Sequence, residues 1–576
     1  MKQVCNAVAI LAITSLILNG RPIAAQNATP VPGGHVHYLE PPQAASPTGA
    51  LAPRLQNLGS HVFPVSTRNA MAQRFMNQGL NLAYAFNHAE ARRAFREAAR
   101  LDPSLAMAHW GQALVLGPNI NAAMEPNEEP TAFEHLQDAL KLSKNATARE
   151  RALIDALAQR YSGKADDRRP RDAAYADAMR RVQQRFPNDL DVAMLYVESV
   201  MDLRPWGYWQ RDGVPHERTA EIVALTEKVM ATNPRHPGAL HMYIHLLEAT
   251  APEKAEKAAD RLLTLMPAAG HMVHMPAHIY QRVGRYADAM RSNQLAIAAD
   301  EDYISQCRAQ GLYPTGYYPH NIHFLWFAAT FDGQGGVAID AARNLASKIN
   351  DETLKAAPLT AAFRMAIYFA LTRFGRWDEM LKQPEPPAFS PVLRSAWHYA
   401  RGLALVATDQ LTGAEAELAK VKALAADPSM QQPLFSPNLA GAVLAPAPEM
   451  LAGEIAAARG QYDTAISHME RAVRLEDSLV YTEPAEFHFP PRHALGAVLL
   501  EAGRPGEAET VYWEDLRRHP SNGWALFGLL QALRAQKKTD DAAIIEARFK
   551  TAWARSDVTL SASRFGRTSV ATTRSN

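Results

Sequence analysis

The sequence predicts an all-α protein, a solenoid in which one helical hairpin follows another along most of the chain. The first observation is a spaced pattern of small residues, one aromatic residue and a closing proline, which recurs at several places. The second is that no run of alternating β-branched residues marks a sheet. The third is a composition of 47% hydrophobic and 21% charged residues, which is typical of a folded chain.

The first 25 residues read as a secretory signal peptide. Lys2 gives a positive start, a mostly apolar run extends to Leu18, and Ile23, Ala24 and Ala25 form a cleavage site. The apolar run is short for a membrane span. A buried helix or a membrane anchor is the alternative. We expect a periplasmic or secreted protein with no transmembrane segment after cleavage.

Cysteine usage and charge narrow the classes of function. Cys5 would leave with the signal peptide, and Cys307 alone could form neither an intramolecular disulfide nor a thiolate cluster. The 60 basic and 59 acidic residues argue against nucleic-acid binding driven by net charge. No phosphate-binding P-loop is found, and we expect no nucleotide cofactor.

The mature chain divides into three parts. Residues 26–70 are rich in proline, alanine and glycine and are predicted to be extended. Residues 71–550 carry the helical pattern and form the predicted solenoid. Residues 551–576 end in a tail rich in serine, threonine and arginine, which is predicted to be disordered.

The first repeat is FMNQGLNLAYAFNHAEARRAFREAARLDPSLAMAHWGQAL, with Gly79, Ala91, Phe95, Ala98 and Pro103 at its spaced positions. Small residues let two short helices pack closely, and proline ends the second helix. Further copies are marked by Ala277, Tyr280, Gly284, Tyr286, Ala289 and Ala296, by Gly402 and Ala414, by Gly453, Gly460, Tyr462, Ala465 and Ala472, and by Gly496, Gly503, Ala508, Tyr512 and Pro520.

These copies resemble the tetratricopeptide (TPR) repeat. The segments NQGLNLAYAFNHAEARRAFREAARLDP, LGPNINAAMEP, DLRPWGYW, HMYIHLLEA, YYPHNIHFLW and LGAVLLEAGRPGEAETVY resemble a family of bacterial exported TPR proteins and, more distantly, the tetratricopeptide repeat protein 38 group. The resemblance implies a TPR-like right-handed superhelix with irregular repeats and recurring histidine motifs. In such arrays the first helix of each repeat lines a concave groove. The resemblance implies no particular reaction.

Histidines are concentrated in the centre of the predicted solenoid. Seven of the 20 histidines fall between residues 241 and 323, where a uniform spread would place about three. They occur in HMYIHLLE (241–248), HMVHMPAH (271–278) and HNIH (320–323). Each segment lies near a predicted helix start.

In the first segment, Pro237 is a natural first helical residue. At about 100° per residue, His241 and His245 project from one helix face. Glu248 shares that face. Two histidines one turn apart with a carboxylate beside them are a common way to hold a divalent metal on a helix. Glu248 is predicted to be a ligand or a general base.

In the second segment, Pro276 places a helix start inside the motif. His274 and His278 are the stronger ligand candidates. His271 lies on the entry turn, and it joins them on one face only if that turn is helical.

In the third segment, Pro319 marks a helix start, and His320 and His323 lie about 60° apart on one face. Three consecutive first helices would then direct their histidines into one pocket. The predicted metal ligands are His241, His245, His271, His274, His278, His320 and His323. A polar core or a ligand-contact surface is the alternative interpretation of the cluster.

Aromatic residues accompany the histidines. DLRPWGYW supplies three on a proline-containing turn, and further tyrosines lie among the histidine motifs. Such residues usually pack between repeats, but they can also line an apolar pocket over a metal. The predicted pocket residues are Trp206, Tyr208, Trp209, Tyr243, Tyr280 and Tyr318.

Two outlying segments also carry histidine. His35 and His37 in GHVHYLE are predicted to lie in a flexible segment. TEPAEFHFPPRH contains Glu483 and His488 and is predicted to be a structured loop, with folding against the pocket as the alternative.

The favoured hypothesis is a metal-binding solenoid that holds copper, zinc or iron in its concave face. The sequence leaves open whether the metal serves an enzyme, an oxidoreductase or a hydrolase. Met242, Met272 and Met275 lie among the histidines and favour copper, although methionine is also a common gap filler in cores. One alternative is a non-catalytic scaffold that binds a peptide, a small molecule or a partner protein in the groove. Another is a periplasmic metal carrier.

Overall fold

The computed structural model describes residues 49–307, 313–434, 438–487 and 489–566. Within these ranges the chain forms helices and no β-strand, and other backbone pairing is limited to isolated bridges such as the one between Asn119 and Ala122. The predicted signal peptide, His35, His37 and His488 lie outside the described residues.

The helices follow one another with short connections, and most of them pack against the next helix in the chain. In the first half they are α1 (Ala70–Tyr84), α2 (His88–Leu101), α3 (Ala106–Leu114), α4 (Glu129–Leu142), α5 (Ala148–Leu157), α6 (Arg169–Arg185), α7 (Leu190–Met201), α8 (Thr219–Thr232), α9 (Pro237–Leu247), α10 (Pro252–Leu262), α11 (Gly270–His274), α12 (Pro276–Arg282) and α13 (Tyr286–Cys307).

The second half continues with the same hairpin pattern, which confirms the predicted all-α, TPR-like helical-hairpin fold. Its helices are α14 (Tyr318–Asp332), α15 (Gly335–Lys348), α16 (Asp351–Ala356), α17 (Ala361–Arg373), α18 (Trp377–Leu381), α19 (Pro391–Ala407), α20 (Leu411–Leu424), α21 (Ala440–Leu444), α22 (Pro446–Ala458), α23 (Tyr462–Asp477), α24 (Pro491–Glu501), α25 (Pro505–Arg518), α26 (Gly523–Ala535) and α27 (Thr539–Ala552). Short 3₁₀ turns lie at Pro126–Glu128, Ser143–Asn145, Pro358–Thr360 and Pro428–Gln431, and a π turn lies at Tyr313–Tyr317.

The glycines of the repeat pattern let neighbouring helices approach an aromatic ring closely. A Cβ atom placed on Gly79 of α1 would lie 2.4 Å from the ring of Phe95, and one on Gly111 of α3 would lie 2.6 Å from it. Real Cβ atoms do not come this near to another atom. The ring of Phe95 on α2 is therefore held between two helices that carry no side chain at the contact.

Prolines begin the helices that carry the histidines. Pro237 and Pro276 are the first residues of α9 and α12, and Pro319 is the second residue of α14. The entry turn before Pro276 is itself helical and forms α11. The helices α11 and α12 both pack on α13, and α13 packs on α14. Helix α12 also contacts α9, so the three histidine segments are neighbours.

None of the helices in the described ranges is both long enough and apolar enough to cross a bilayer. Residues 49–69 contain no helix and lie against the first repeats, where the Leu51 amide donates to Glu97. Cys307, at the end of α13, is buried and carries a free thiol.

Candidate metal centre

The three histidine segments meet in the interior of the protein. All of the predicted ligand histidines are buried except His320, which is half-buried. Six of the seven form two groups whose ring nitrogens converge. We call His241, His245 and His271 set A, and His274, His278 and His320 set B. Within each set the nitrogens that can bind a metal all lie within 4.8 Å of one another.

Set A joins α9 to α11. His245 Nε2 lies 3.1 Å from His241 Nε2, and His271 Nε2 lies 3.2 Å from the same atom. His241 and His245 come from one face of α9, as their spacing predicted. The entry turn that carries His271 is helical, but His271 joins His241 and His245 rather than His274 and His278, with which a helical turn was expected to place it.

Set B joins α11 and α12 to α14. His274 Nε2 lies 2.8 Å from His278 Nε2, and the His320 ring lies 4.8 Å from the His274 ring. The motif HMVHMPAH is therefore divided. Its first histidine belongs to set A, and the other two belong to set B.

We call the imidazole nitrogen that points away from its set the outer nitrogen. In two imidazoles the outer nitrogen faces a group that can only accept a hydrogen bond. His241 Nδ1 lies 2.6 Å from the Tyr84 carbonyl oxygen, and His274 Nδ1 lies 2.7 Å from Asn293 Oδ1. The Asn293 amide nitrogen donates to the Ala289 carbonyl at 2.8 Å, which fixes the orientation of that amide. Both imidazoles therefore carry the proton on Nδ1, and each turns an Nε2 lone pair toward its set.

Glu248 connects the two sets. Its Oε1 lies 3.2 Å from His245 Nδ1, and its Oε2 lies 2.8 Å from His278 Nδ1. Glu248 thus holds the outer nitrogen of one imidazole in each set. This is the arrangement in which a carboxylate orients a metal-binding histidine. His245, Glu248 and His278 also form a third group that could hold an ion.

Glu483 also reaches this point, from the loop between α23 and α24. Its carboxyl group contacts His278 Nδ1 and the carboxyl group of Glu248. Burial raises the pKa of both glutamates well above the usual carboxyl range. The loop that contains Glu483 therefore folds against the cluster, which the sequence offered only as an alternative.

Burial keeps the imidazoles neutral. It lowers the pKa of His245 to about 3 and that of His274 to about 4. It lowers the pKa of His241, His271 and His278 well below the usual value, and neighbouring imidazoles lower it further. The pKa of His320 is lowered for the same reasons. Neutral imidazole is the form that binds metal.

Aromatic rings surround both sets. The Phe86 ring lies 4.6 Å from the His241 ring, and the Trp206 ring lies 5.2 Å from the His245 ring. The Phe324 ring lies 4.9 Å from both His274 and His278. Phe86 and Trp206 both have a positive φ, at 55° and 63°. Such a backbone is costly for a bulky residue. The sequence does not distinguish Phe86 and Phe324 from the aromatic residues that pack between repeats, so neither was predicted to lie at the site.

Several predicted residues lie elsewhere. His323 is in neither set, and its ring stacks on Trp326 at 5.2 Å. The hydroxyls of Tyr243, Tyr280 and Tyr318 donate to acidic side chains rather than to the histidines, and they reach Glu227 at 2.8 Å, Asp260 at 2.9 Å and Glu301 at 2.8 Å.

The remaining pocket candidates and the methionines are part of the packing. The Trp209 indole donates to the Leu246 carbonyl of α9 at 2.6 Å, and Tyr208 is buried. Trp206 is the predicted pocket residue whose ring contacts a set. Met242, Met272 and Met275 are buried among core residues, so their interleaving with histidine reflects packing.

A further His–Asp–His group lies behind set A. Asp191 Oδ1 accepts from the Tyr84 hydroxyl at 2.8 Å and lies 2.8 Å from His61 Nε2. His236 Nε2 lies 3.3 Å from the same oxygen, while its Nδ1 accepts from the Ala239 amide. His61 and Tyr84 hydrogen-bond to Asp191, and His236 lies beside the same carboxylate. It supports Tyr84, whose carbonyl oxygen holds His241.

No protein-family model and no curated protein match the chain. Solved structures match at low identity. The human IFIT1 dimer with m7Gppp-AAAA is 11% identical over 84% of this chain and 91% of that chain, with a TM-score of 0.31. The Cut9–Hcn1 hetero-tetramer of the APC/C is 15% identical over 82% and 78%, with a TM-score of 0.28. Yeast Tom70 is 12% identical over 84% and 92%, with a TM-score of 0.26. Likeness at these TM-scores carries no argument about function.

Proposed function

We propose that this protein binds a transition metal through sets A and B and uses it as a metal-dependent enzyme. The single observation that supports this most strongly is the convergence of three imidazole nitrogens in each set, where acceptors on Nδ1 direct the Nε2 lone pairs of His241 and His274 inward. Each of these lone pairs faces the Nε2 atom of a second imidazole, His245 or His278, and a cation between the two nitrogens would bind both of them. Burial lowers the pKa of His241 and His274, which favours the neutral form of imidazole that binds metal.

The arrangement differs from a fully satisfied polar core in that the buried His271 Nδ1 has no hydrogen-bond partner among the described residues. In a polar core, each buried donor or acceptor is satisfied by a protein group of the opposite kind. Here protein acceptors satisfy the outer nitrogens of His241 and His274, and the inner nitrogens face other imidazoles. Imidazole donors suit copper, zinc and iron. Three imidazoles around an ion leave a coordination position open for a substrate.

The experiment measures metal content. The protein is expressed without a polyhistidine tag, stripped with a chelator, incubated with copper, zinc or iron, and desalted before elemental analysis. We expect near-stoichiometric metal in the wild type. The double variant His245→Ala with His278→Ala should lose the metal while keeping its helical circular dichroism.

His323→Ala is the matched control, because it removes a buried histidine of the same region that belongs to neither set. It should bind as much metal as the wild type. A wild-type protein that stays metal-free after each incubation would refute the proposal and favour the non-catalytic scaffold. Metal-loaded protein with no chelator-sensitive activity toward oxidisable or hydrolysable substrates would favour a metal carrier.

We also propose that the protein is exported. The support is the N-terminal pattern of Lys2, the apolar run and the small residues before Gln26. N-terminal sequencing of protein from the periplasm or medium of a bacterial expression host should show cleavage after Ala25. An uncleaved chain in the cytosolic fraction would contradict export and leave the metal proposal untouched.

A further inference from the structure

We infer that sets A and B form one dinuclear copper centre, in which each set holds one ion and the pair binds and reduces dioxygen. The inference rests on the proposed metal-binding function and adds the number of ions, their identity and their ligand. It is carried by the division of six imidazoles into two sets of three whose rings approach to 5.8 Å.

The number of ions follows from the ligand count. Each set supplies three imidazoles with converging nitrogens, which is the protein ligand count of many catalytic metal sites. Splitting HMVHMPAH between the sets gives each of them three ligands, although the local sequence places three histidines together. Two sets with three imidazole ligands each can hold two ions, one in each set.

The two sets are close enough to act together. The rings of His245 and His278 lie 5.8 Å apart, and those of His271 and His274 lie 6.0 Å apart. These distances between sets are no longer than the 6.4 Å between the His245 and His271 rings inside set A. Enzymes that bind one small ligand between two metals keep the ions about 3.5–4 Å apart. Glu248 contacts an imidazole of each set and fixes them together.

The buried charge favours copper. Glu248 and Glu483 are the carboxyl groups in contact with the two sets within the described part of the chain. Two singly charged Cu(I) ions bring half the charge of two Zn²⁺ ions into this buried site, so their burial costs less free energy. Imidazole donors suit copper, and the three ligands of each set are imidazoles.

Reduction of dioxygen by two Cu(I) ions leaves the total charge buried at the site unchanged. Each Cu(I) ion gives one electron, the O=O double bond becomes a single bond, and the products are two Cu(II) ions and a bound peroxide dianion. No proton is required, and the summed charge of ions and oxygen stays constant during the step. The buried rings of Phe86 and Phe324 and the partly exposed ring of Trp206 lie against the sets. Apolar rings of this kind suit a small apolar ligand such as dioxygen.

The test counts copper, oxygen and unpaired spins on the full-length, untagged protein. Metal-free protein is titrated with Cu(I) without air, desalted and analysed, and oxygen uptake is then measured on exposure to air. We expect two copper ions and one dioxygen per chain. The Cu(II) electron paramagnetic resonance signal should be far weaker than the copper content, because a bridged pair of ions couples its two spins.

Variants with one altered set make the test specific. His241→Gln removes a ligand from set A, and His274→Gln removes one from set B. Each should retain one copper ion, take up little oxygen and show the full signal of an isolated Cu(II) ion. His323→Gln should behave as the wild type does. Circular dichroism verifies folding, and the wild-type measurements decide the question even if a variant fails to fold.

The outcomes separate this inference from the function on which it rests. One copper ion per wild-type chain would overturn the dinuclear centre and leave the metal-binding proposal standing. No bound copper, zinc or iron would overturn both. Two copper ions that give the full signal of separate Cu(II) ions in air would overturn the shared dioxygen site.

Discussion

Asn293→Ala tests the tautomer argument without touching a metal ligand. The Asn293 amide oxygen is the acceptor for His274 Nδ1 at 2.7 Å, and both side chains are buried. Alanine removes that acceptor and leaves the imidazole free to rotate or to change tautomer. The Nε2 lone pair is then no longer directed into set B.

The expected magnitude follows from the contact that is lost. Loss of a hydrogen-bond partner behind a metal-binding histidine weakens metal affinity by about 10–100-fold, which is about 1.4–2.8 kcal/mol. A buried donor left without an acceptor also lowers the free energy of unfolding of the metal-free protein by about 1–3 kcal/mol. Affinity is measured by competition with a chelator, and stability by urea unfolding of metal-free protein.

Gln112→Ala is the matched control. Like Asn293, Gln112 is a buried amide that donates to the carbonyl four residues earlier in its helix, Ala108 in this case. Gln112 contacts neither set, so its loss should lower stability and leave metal affinity unchanged. If the two variants bind metal with the same affinity, Asn293 does not orient a ligand and the tautomer argument is refuted.

Three other predictions concern packing, the link between the sets, and pH. Gly79→Ala forces a methyl group against the ring of Phe95, and overpacking of this kind should lower the free energy of unfolding by about 1–3 kcal/mol in a urea titration. Glu248→Gln replaces one carboxylate oxygen by an amide nitrogen, so the side chain can no longer accept hydrogen bonds from imidazoles of both sets. Metal affinity should fall by about 10–100-fold for every bound ion. A loss of affinity confined to one ion would contradict the bridging role of Glu248. Burial lowers the pKa of His135 from 6.5 to about 4, so between these pH values the unfolded chain binds the proton more readily than the folded chain. Acidification from neutral pH should therefore lower the free energy of unfolding of the wild type more than that of His135→Gln. Equal dependence of the two free energies on pH would contradict this.

Local sequence rules were sufficient for the helices of this site. Proline marks the start of α9 and α12, and a spacing of four residues places His241 and His245 on one face because one helical turn is about 3.6 residues. The glycine and aromatic positions predicted the close helix packing, which the contact of Gly79 with Phe95 confirms.

The partners of each imidazole could not be predicted in the same way. HMVHMPAH looked like one group of ligands, but contacts with α9 and α14 assign its histidines to different sets. Phe86 and Glu483 come from turns that are distant in sequence and reach the site only through tertiary packing. Asn293 is one polar residue on α13, and its role depends on which imidazole nitrogen faces it. A single sequence contains no distances of this kind.

The short helix α11 has a mechanical consequence. Arrays of helical hairpins change their curvature when the small rotation between neighbouring repeats changes, because these rotations add up along the chain. His271 and His274 belong to different sets, yet they are three residues apart on α11, a rise of about 4.5 Å along the helix axis. This separation is set by backbone hydrogen bonds within one helix and by no joint between repeats. Pulling on the ends of the array should therefore change the distance between His271 and His274 less than the distances between histidines on different helices, and α11 fixes this one link between the two sets.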